Sequence, residues 1–426
     1  MGLPDGATTM QQQTVKLPAS SESVPNRRIL RRYGGRRMHF VPADSVRLLV
    51  NGAAAYPEML GAIAGARSRI DMETYILRDD RAGRMFQEAL CLAAARGVRV
   101  RLLYDWLGSL SLPRQFVEPL VEAGVEVAAY HPLILRRPVW ALNKRDHRKM
   151  LIVDERASFT GGLNIGDEYA PASQGGQGWR DTHLRLDGTE VARAMTDLFG
   201  YAWRRATPYP ASLNRRGRAG WALRRGLAGR SRAAAPRGQD APAAGIPVSI
   251  LGNEVLRYRR RIHHAYLRSI RAARHYILIE NAYFIPNRAV RQALIQAARR
   301  GVFVGVVVSA HSDVPITAYA TRATFDELLA GGVHLFEWPI SVMHAKTAVI
   351  DDAWSIVGSY NFDHRSLLHQ LECVAVVADE ALAAGLRDQT LEDLSHCREI
   401  TREAHRARPW WRQALERLAY LLRHWL

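Results

Sequence analysis

His147, Lys149 and Asp154 form the pattern His-x-Lys-x-x-x-x-Asp, and His344, Lys346 and Asp351 form it again in the second half of the chain. With 15 His and only four Lys (Lys16, Lys144, Lys149 and Lys346) in 426 residues, chance predicts far less than one match. Each copy continues alike, with a small-residue turn and an Asn: Gly161-Gly162-Leu163-Asn164 and Gly358-Ser359-Tyr360-Asn361. A phosphodiester is attacked well by a neutral imidazole held in line, with cations on the non-bridging oxygens and an acid ready for the leaving alkoxide. Two His, two Lys and two Asn supply that set without a metal or a cofactor. One His can take the phosphoryl group while the other gives and later removes a proton.

The elements that must position these groups follow from the spacing. Residues i and i+2 of a strand share a face, so His147 projects with Lys149 and His344 with Lys346. The apolar runs 150–153 and 347–350 continue as buried strands, and Asp154 and Asp351 fall at turns at the strand ends. They enter the candidate catalytic set with the His and Lys residues, although a role in fixing the turn suits them better. Each imidazole also needs an orienting carboxylate. Aligning the halves after the motifs sets Trp179-Arg180-Asp181-Thr182-His183 against Gln370-Leu371-Glu372-Cys373-Val374, which makes Asp181 and Glu372 the candidates. Asn164, Ser359 and Asn361 are expected to support these groups or contact the phosphate. Glu73 and Glu280, with Tyr75 and Tyr283 just beyond them, suit core ion pairs and site residues equally.

The second half is a diverged copy of the first. Strands at 47–50 and 69–75 answer strands at 248–251 and 276–281, and Ala-rich helices end at Gly97 and Gly301 before β-branched strands at 98–104 and 302–308. Such alternation predicts an α/β fold with a mixed sheet covered by helices in each half. The expected divisions are a flexible tail (1–31), a first half (32–205), an Arg-, Pro- and Gly-rich linker or loop (206–246), a second half (247–400) and an amphipathic C-terminal helix (401–426).

Charge and apolar patterning suggest the partner. The formal charge is +18, and it is concentrated: six Arg and no acid in residues 27–37, ten Arg and no acid in 204–237. Such blocks attract anionic lipid surfaces or nucleic acid. Cys91, Cys373 and Cys397 have no metal-ligand spacing. No apolar run is long enough to span a bilayer, and the polar N-terminal segment lacks the apolar stretch of a signal peptide. After Pro409, the residues Trp410, Trp411, Leu415, Leu418, Leu422 and Trp425 fall on one apolar helical face flanked by Arg, the pattern of a helix lying in a membrane interface.

With these residues the chain resembles the phospholipase D superfamily, whose signature is the doubled His-x-Lys-x-x-x-x-Asp followed by the Gly-Gly or Gly-Ser turn and Asn. Within it, the run from Gly162 through Asn164, Asp167 and Glu168 to Tyr169, the Trp179-Arg180-Asp181 segment, the run from Asn361 to Ser366 and the terminal Arg408-Pro409-Trp410-Trp411 are similar to bacterial cardiolipin synthases of the short type without N-terminal membrane spans. The resemblance implies two phospholipase D-like repeats packed with pseudo-twofold symmetry around one active site, His147 as nucleophile and His344 as general acid and base. It also implies transfer of a phosphatidyl group from phosphatidylglycerol to a second lipid, phosphatidylglycerol or conceivably phosphatidylethanolamine, by a peripheral protein on the cytoplasmic face of a bacterial inner membrane. A hydrolase or nuclease of the same superfamily and a non-catalytic lipid-binding scaffold are the alternatives; nucleic acid suits the Trp-rich helix poorly. The oligomeric state has no signature in the sequence.

Overall fold

The computed structural model describes residues 15, 17–18, 26–35, 38–132, 143–209, 244–253 and 259–425. Most of the Arg-rich segment expected as a linker therefore lies outside the described residues. Two mixed sheets form the body. One has eight strands in the spatial order Ser45–Val50, Thr182–Asp187, Ala157–Gly161, Met150–Val153, Arg69–Thr74, Arg99–Asp105, Glu126–Tyr130 and Thr207–Pro208. The other repeats that order with Ile246–Gly252, Cys373–Val377, Trp354–Gly358, Lys346–Ile350, Tyr276–Asn281, Phe303–His311, His334–Val342 and Arg398–Glu399, and adds Val41–Ala43 at its edge. In each sheet the three strands joined through crossover helices pair in parallel, Arg69–Thr74 with Arg99–Asp105 and then Glu126–Tyr130, and their counterparts likewise. The hairpins that carry the motifs pair antiparallel.

Three apolar layers hold the body together. The outer core of the first half packs helices Asn51–Ala64, Arg81–Ala95 and Arg114–Glu122 on one face of its sheet, and Arg261–Ala272 and Arg288–Arg299 do the same for the second half. The central core joins the facing sides of both sheets, with Leu103, Met150 and Leu184 from one and Val248, Leu278 and Val357 from the other in a single cluster with helices Thr189–Trp203 and Glu380–Ser395. Burying both faces explains why the strand that leads to Asp154 is apolar at every position, Met150 to Val153.

The expected tail ends earlier than residue 31. Residues 26–34 are helical, with Ile29, Leu30 and Tyr33 buried, because Tyr33 packs tilted against Trp354 with ring centroids 5.4 Å apart and its hydroxyl donates to Asp351 at 2.6 Å. The C-terminal helix runs from Trp410 to Leu421. Among the described residues, no helix is long and apolar enough to cross a membrane.

Candidate active site

The halves are stitched together next to each motif. The residue before His147, Asp146, forms an isolated parallel bridge with Leu371, and the residue before His344, Met343, forms one with Arg180. His147 N–H donates to Leu371 C=O at 2.9 Å, and His344 N–H donates to Arg180 C=O at 2.7 Å. Leu371 and Arg180 precede Glu372 and Asp181, so each imidazole is placed beside the carboxylate of the opposite half. His147 Nδ1 lies 3.2 Å from the Glu372 carboxylate and 3.1 Å from Ser359 C=O. His344 Nδ1 lies 2.7 Å from Asp181 Oδ2. The two dyads are crossed, and neither half holds a complete one. With acceptors facing each Nδ1, that nitrogen carries the hydrogen and Nε2 is left for chemistry.

Lys149 and Lys346 lie between the dyads and are buried to 2% and 0% exposure. Each ammonium donates to the backbone carbonyl of its own motif His, at 2.6 Å for Lys149. Burial pushes Lys149 down to about 7, helped by the like charge of Lys346, and pushes Lys346 down to about 8. Burial, with the charges of Lys149, Lys346 and His344, holds His147 well below the usual imidazole range. Burial also lowers His344, with Lys346 adding to it, although hydrogen bonding to Asp181 works the other way.

The carboxylates differ. Burial lifts Glu372 to about 7 despite Lys149 and the hydroxyls of Ser359 and Ser366. Burial opposes charge on Asp181 too, but the hydrogen bond and charge of His344, with Lys346 and the Thr182 N–H, outweigh it and hold the carboxyl below its usual range. Sequence differences at two matched positions give the two carboxylates different neighbours, although the serine hydroxyls act against the rise at Glu372. Where the second half has Ser359, whose hydroxyl donates to Glu372, the first has Gly162, and a Cβ there would lie 2.1 Å from Asp181 Oδ1. Five residues after each motif Asn, Ser366 donates to Glu372 at 2.7 Å, whereas Tyr169 places its hydroxyl 3.3 Å from His344 Nδ1. An ionised partner suits the imidazole that must hold a proton, and a nearly neutral one suits the imidazole that must stay unprotonated.

Several expected site residues are placed elsewhere or do other work. Asp154 and Asp351 are five residues beyond the Lys of their motifs, roughly 16 Å along the strand, so they are not in the catalytic set. Asp154 and Glu155, and Asp351 and Asp352, take φ values of 51–53°, the left-handed region of a primed hairpin turn, which Asp tolerates better than most residues. The Asp154 carboxylate accepts the N–H groups of Arg67, Ser68 and Arg69 at 2.8–2.9 Å, and Asp351 accepts those of Arg274, His275 and Tyr276 at the same distances. They lock the turn of the motif hairpin to the neighbouring strand.

Asn164 is committed within the protein, accepting Ile76 N–H at 3.1 Å and donating to Tyr169 Oη at 2.7 Å. Asn361 differs: its Oδ1 is buried without a hydrogen-bond partner. Ser359 serves Glu372 and accepts Cys373 N–H, so it supports the dyad and does not face a phosphate. Glu73 and Glu280 are core ion pairs, with Arg148 at 2.8 Å and Arg180 at 3.5 Å. Tyr75, by contrast, lies edge-on to His147 with ring centroids 4.9 Å apart and beneath Lys149. Tyr169 and Ser366 were missed as site residues, although their equal offset from the two Asn residues was available in the aligned halves.

The C-terminal helix borders this site with its apolar side outward. Ala419 and Tyr420 pack on helix Pro315–Arg322, Glu416 is buried against Arg408, and Trp410, Trp411, Leu415, Leu418, Leu422 and Trp425 are all exposed. His424 meets His364, the first residue of the short helix His364–Leu368, with ring centroids 4.4 Å apart. The other exposed apolar side chains include Leu110 in the loop after Arg99–Asp105, Val314 and Tyr319 before and within helix Pro315–Arg322, and Ile340 in the strand His334–Val342.

Crossed His–carboxylate dyads over two buried lysines, inside a duplicated α/β body, define the phospholipase D class of proteins. A family model described as cardiolipin synthase, phospholipase D-like domain, matches residues 59–203 and again 266–394. The chain belongs to this family. It is 31% identical over 383 residues to the major cardiolipin synthase ClsA of Bacillus subtilis, spanning 90% of this chain and 76% of that one. It is 32% identical over 387 residues to cardiolipin synthase B of Escherichia coli K12, spanning 89% of this chain and 88% of that one. Among solved structures, phosphatidylserine synthase of Haemophilus influenzae shares the fold, with a TM-score of 0.71, 15% identity and coverage of 94% of this chain and 100% of that one.

Proposed function

We propose that the protein forms cardiolipin from two molecules of phosphatidylglycerol, bound peripherally to an anionic bilayer through its C-terminal helix and Arg-rich segments on the cytoplasmic side. The observation that carries the reaction is the asymmetry between the crossed dyads. Neutral His147, backed by a carboxyl near neutrality, is suited to attack phosphorus through Nε2. The bond from phosphorus to the headgroup glycerol breaks, and His344, backed by ionised Asp181, gives its Nε2 proton to the departing oxygen. Lys149 and Lys346 hold the non-bridging oxygens, whose charge favours their protonated forms. A primary hydroxyl of the second phosphatidylglycerol then yields its proton to His344 and attacks phosphorus, the bond to His147 breaks, and cardiolipin leaves. Phosphatidylethanolamine, left open as second lipid by the sequence, offers an ammonium and no free hydroxyl, so it does not complete this second step.

The exposed Trp and Leu face beside the site supports the lipid reading, because an apolar strip of that kind is stable in a bilayer interface and unfavourable in water. The test is incubation with vesicles of labelled phosphatidylglycerol, following cardiolipin, phosphatidic acid and glycerol. Cardiolipin and glycerol in equal amounts are expected; phosphatidic acid alone would make the protein a hydrolase, and DNA cleavage without lipid turnover would make it a nuclease.

A further inference from the structure

In a displacement at phosphorus the entering and leaving atoms are in line, so with His147 on one side both the departing and the arriving alcohol lie on the His344 side. The walls there are Tyr169, Trp179 and Tyr283, with ring centroids 5.6, 5.9 and 6.5 Å from that of His344. Tyr283 donates its hydroxyl to Asp313 Oδ1 at 2.6 Å. Asp313 is exposed, stands just after the strand Phe303–His311, and its Oδ2 has no hydrogen bond among the described residues. Its charge is near enough to act on His344, Lys346 and Tyr169. A carboxylate at the mouth of a site built for an anionic phosphate opposes phosphate binding, so it needs a compensating task. The matched loop on the nucleophile side, Trp106-Leu107-Gly108-Ser109-Leu110-Ser111-Leu112, has no acidic residue. The acid at the root of that matched loop, Asp105, is buried and accepts the N–H groups of Leu107 and Gly108, whereas Asp313 is exposed; its charge also reaches Tyr75 beside His147.

We propose that Asp313, oriented by Tyr283, selects the alcohol by accepting a hydrogen bond from the hydroxyl vicinal to the reacting one on a glycerol headgroup. Water has no second hydroxyl to offer, so the contact favours transfer over hydrolysis. This specificity-determining role rests on the phosphatidyl-transfer reading above and deepens it.

The test uses full-length protein on phosphatidylglycerol vesicles with either 1,2-propanediol or 1-propanol, which differ only in the vicinal hydroxyl. Each alcohol's primary oxygen forms the new bond to phosphorus, its proton passes to His344, and the phosphatidyl products are separated by mass. Wild type is expected to favour the diol by roughly tenfold or more, the effect of one hydrogen bond to a charged group. In Asp313→Ala the ratio falls towards one, and Tyr283→Phe lies between. Should Asp313→Ala fail to fold, as judged by circular dichroism, Asp313→Asn and Tyr283→Phe carry the same comparison. An unchanged ratio overturns the inference. So does a parallel loss of both products with a displaced pH profile, which would make Asp313 only an electrostatic partner of His344. Wild type that transfers without preferring the diol also sinks it, whereas wild type that makes no phosphatidyl alcohol and no cardiolipin sinks the transfer reading itself.

Discussion

Neutralising the two dyad carboxylates is expected to have unequal consequences. Asp181→Asn removes a charge that is present, at 2.7 Å from the ring that must carry a proton in the transition state. A buried hydrogen bond to a charged group contributes about 1.5–3 kcal/mol, so turnover should fall roughly 10- to 150-fold. Glu372→Gln at pH 6 removes a charge that is mostly absent, because the carboxyl titrates at about 7. Its loss should stay below about tenfold there, since one hydrogen bond changes character without a buried charge being lost. The sign with pH follows: Glu372 is protonated below about 7 and ionised above it, so the gap between wild type and Glu372→Gln widens as the pH rises from 6 to 8. The assay is the initial rate of cardiolipin formation at saturating phosphatidylglycerol for the three proteins at pH 6, 7 and 8. Equal losses in both variants at pH 6, or a larger loss in Glu372→Gln, would refute the assignment of distinct roles to the dyads.

Two further outcomes follow from burial. The unfolded chain keeps Lys149 protonated up to about pH 10 while the folded protein releases that proton at about 7, so this residue destabilises the unliganded fold, fully below about pH 7 and progressively less as the pH rises towards 10. Lys149→Met should therefore abolish turnover yet raise Tm by a few degrees at pH 8 in a thermal melt; a lower Tm would contradict a strained charge at that position. Replacing both Leu418 and Trp425 with Glu removes two exposed apolar anchors, each contributing on the order of 1.5–3 kcal/mol when buried in lipid. Binding to phosphatidylglycerol vesicles in a sedimentation assay should weaken at least tenfold with an unaltered Tm, and unchanged binding would remove the helix from the membrane contact.

Much of the site could be read from the sequence because it is repeated. The i and i+2 spacing of His and Lys is a local property of one strand, and the offset from motif to carboxylate survives duplication, which is how Asp181 and Glu372 come into view. The crossing of the dyads is not local. It depends on the bridges Asp146–Leu371 and Arg180–Met343, which join residues more than 160 positions apart and have no sequence periodicity. Asp154 and Asp351 show a different limit: their invariable spacing from His and Lys is a hairpin requirement, and spacing alone does not distinguish a turn lock from a reacting group. The C-terminal helix was legible as amphipathic, but which side docks was not: Glu416, Ala419 and Tyr420 meet the protein, and Trp410, Trp411, Leu415, Leu418, Leu422 and Trp425 meet solvent.

The most direct test of a shared site with His147 as nucleophile is acid-free quenching of the wild-type protein during turnover of phosphatidylglycerol labelled in its phosphate. Peptide mapping should then find an alkali-stable, acid-labile label on the fragment containing His147. Label on the His344 fragment would reverse the roles of the two halves, and product accumulating with no labelled peptide at any time would contradict a covalent histidine intermediate.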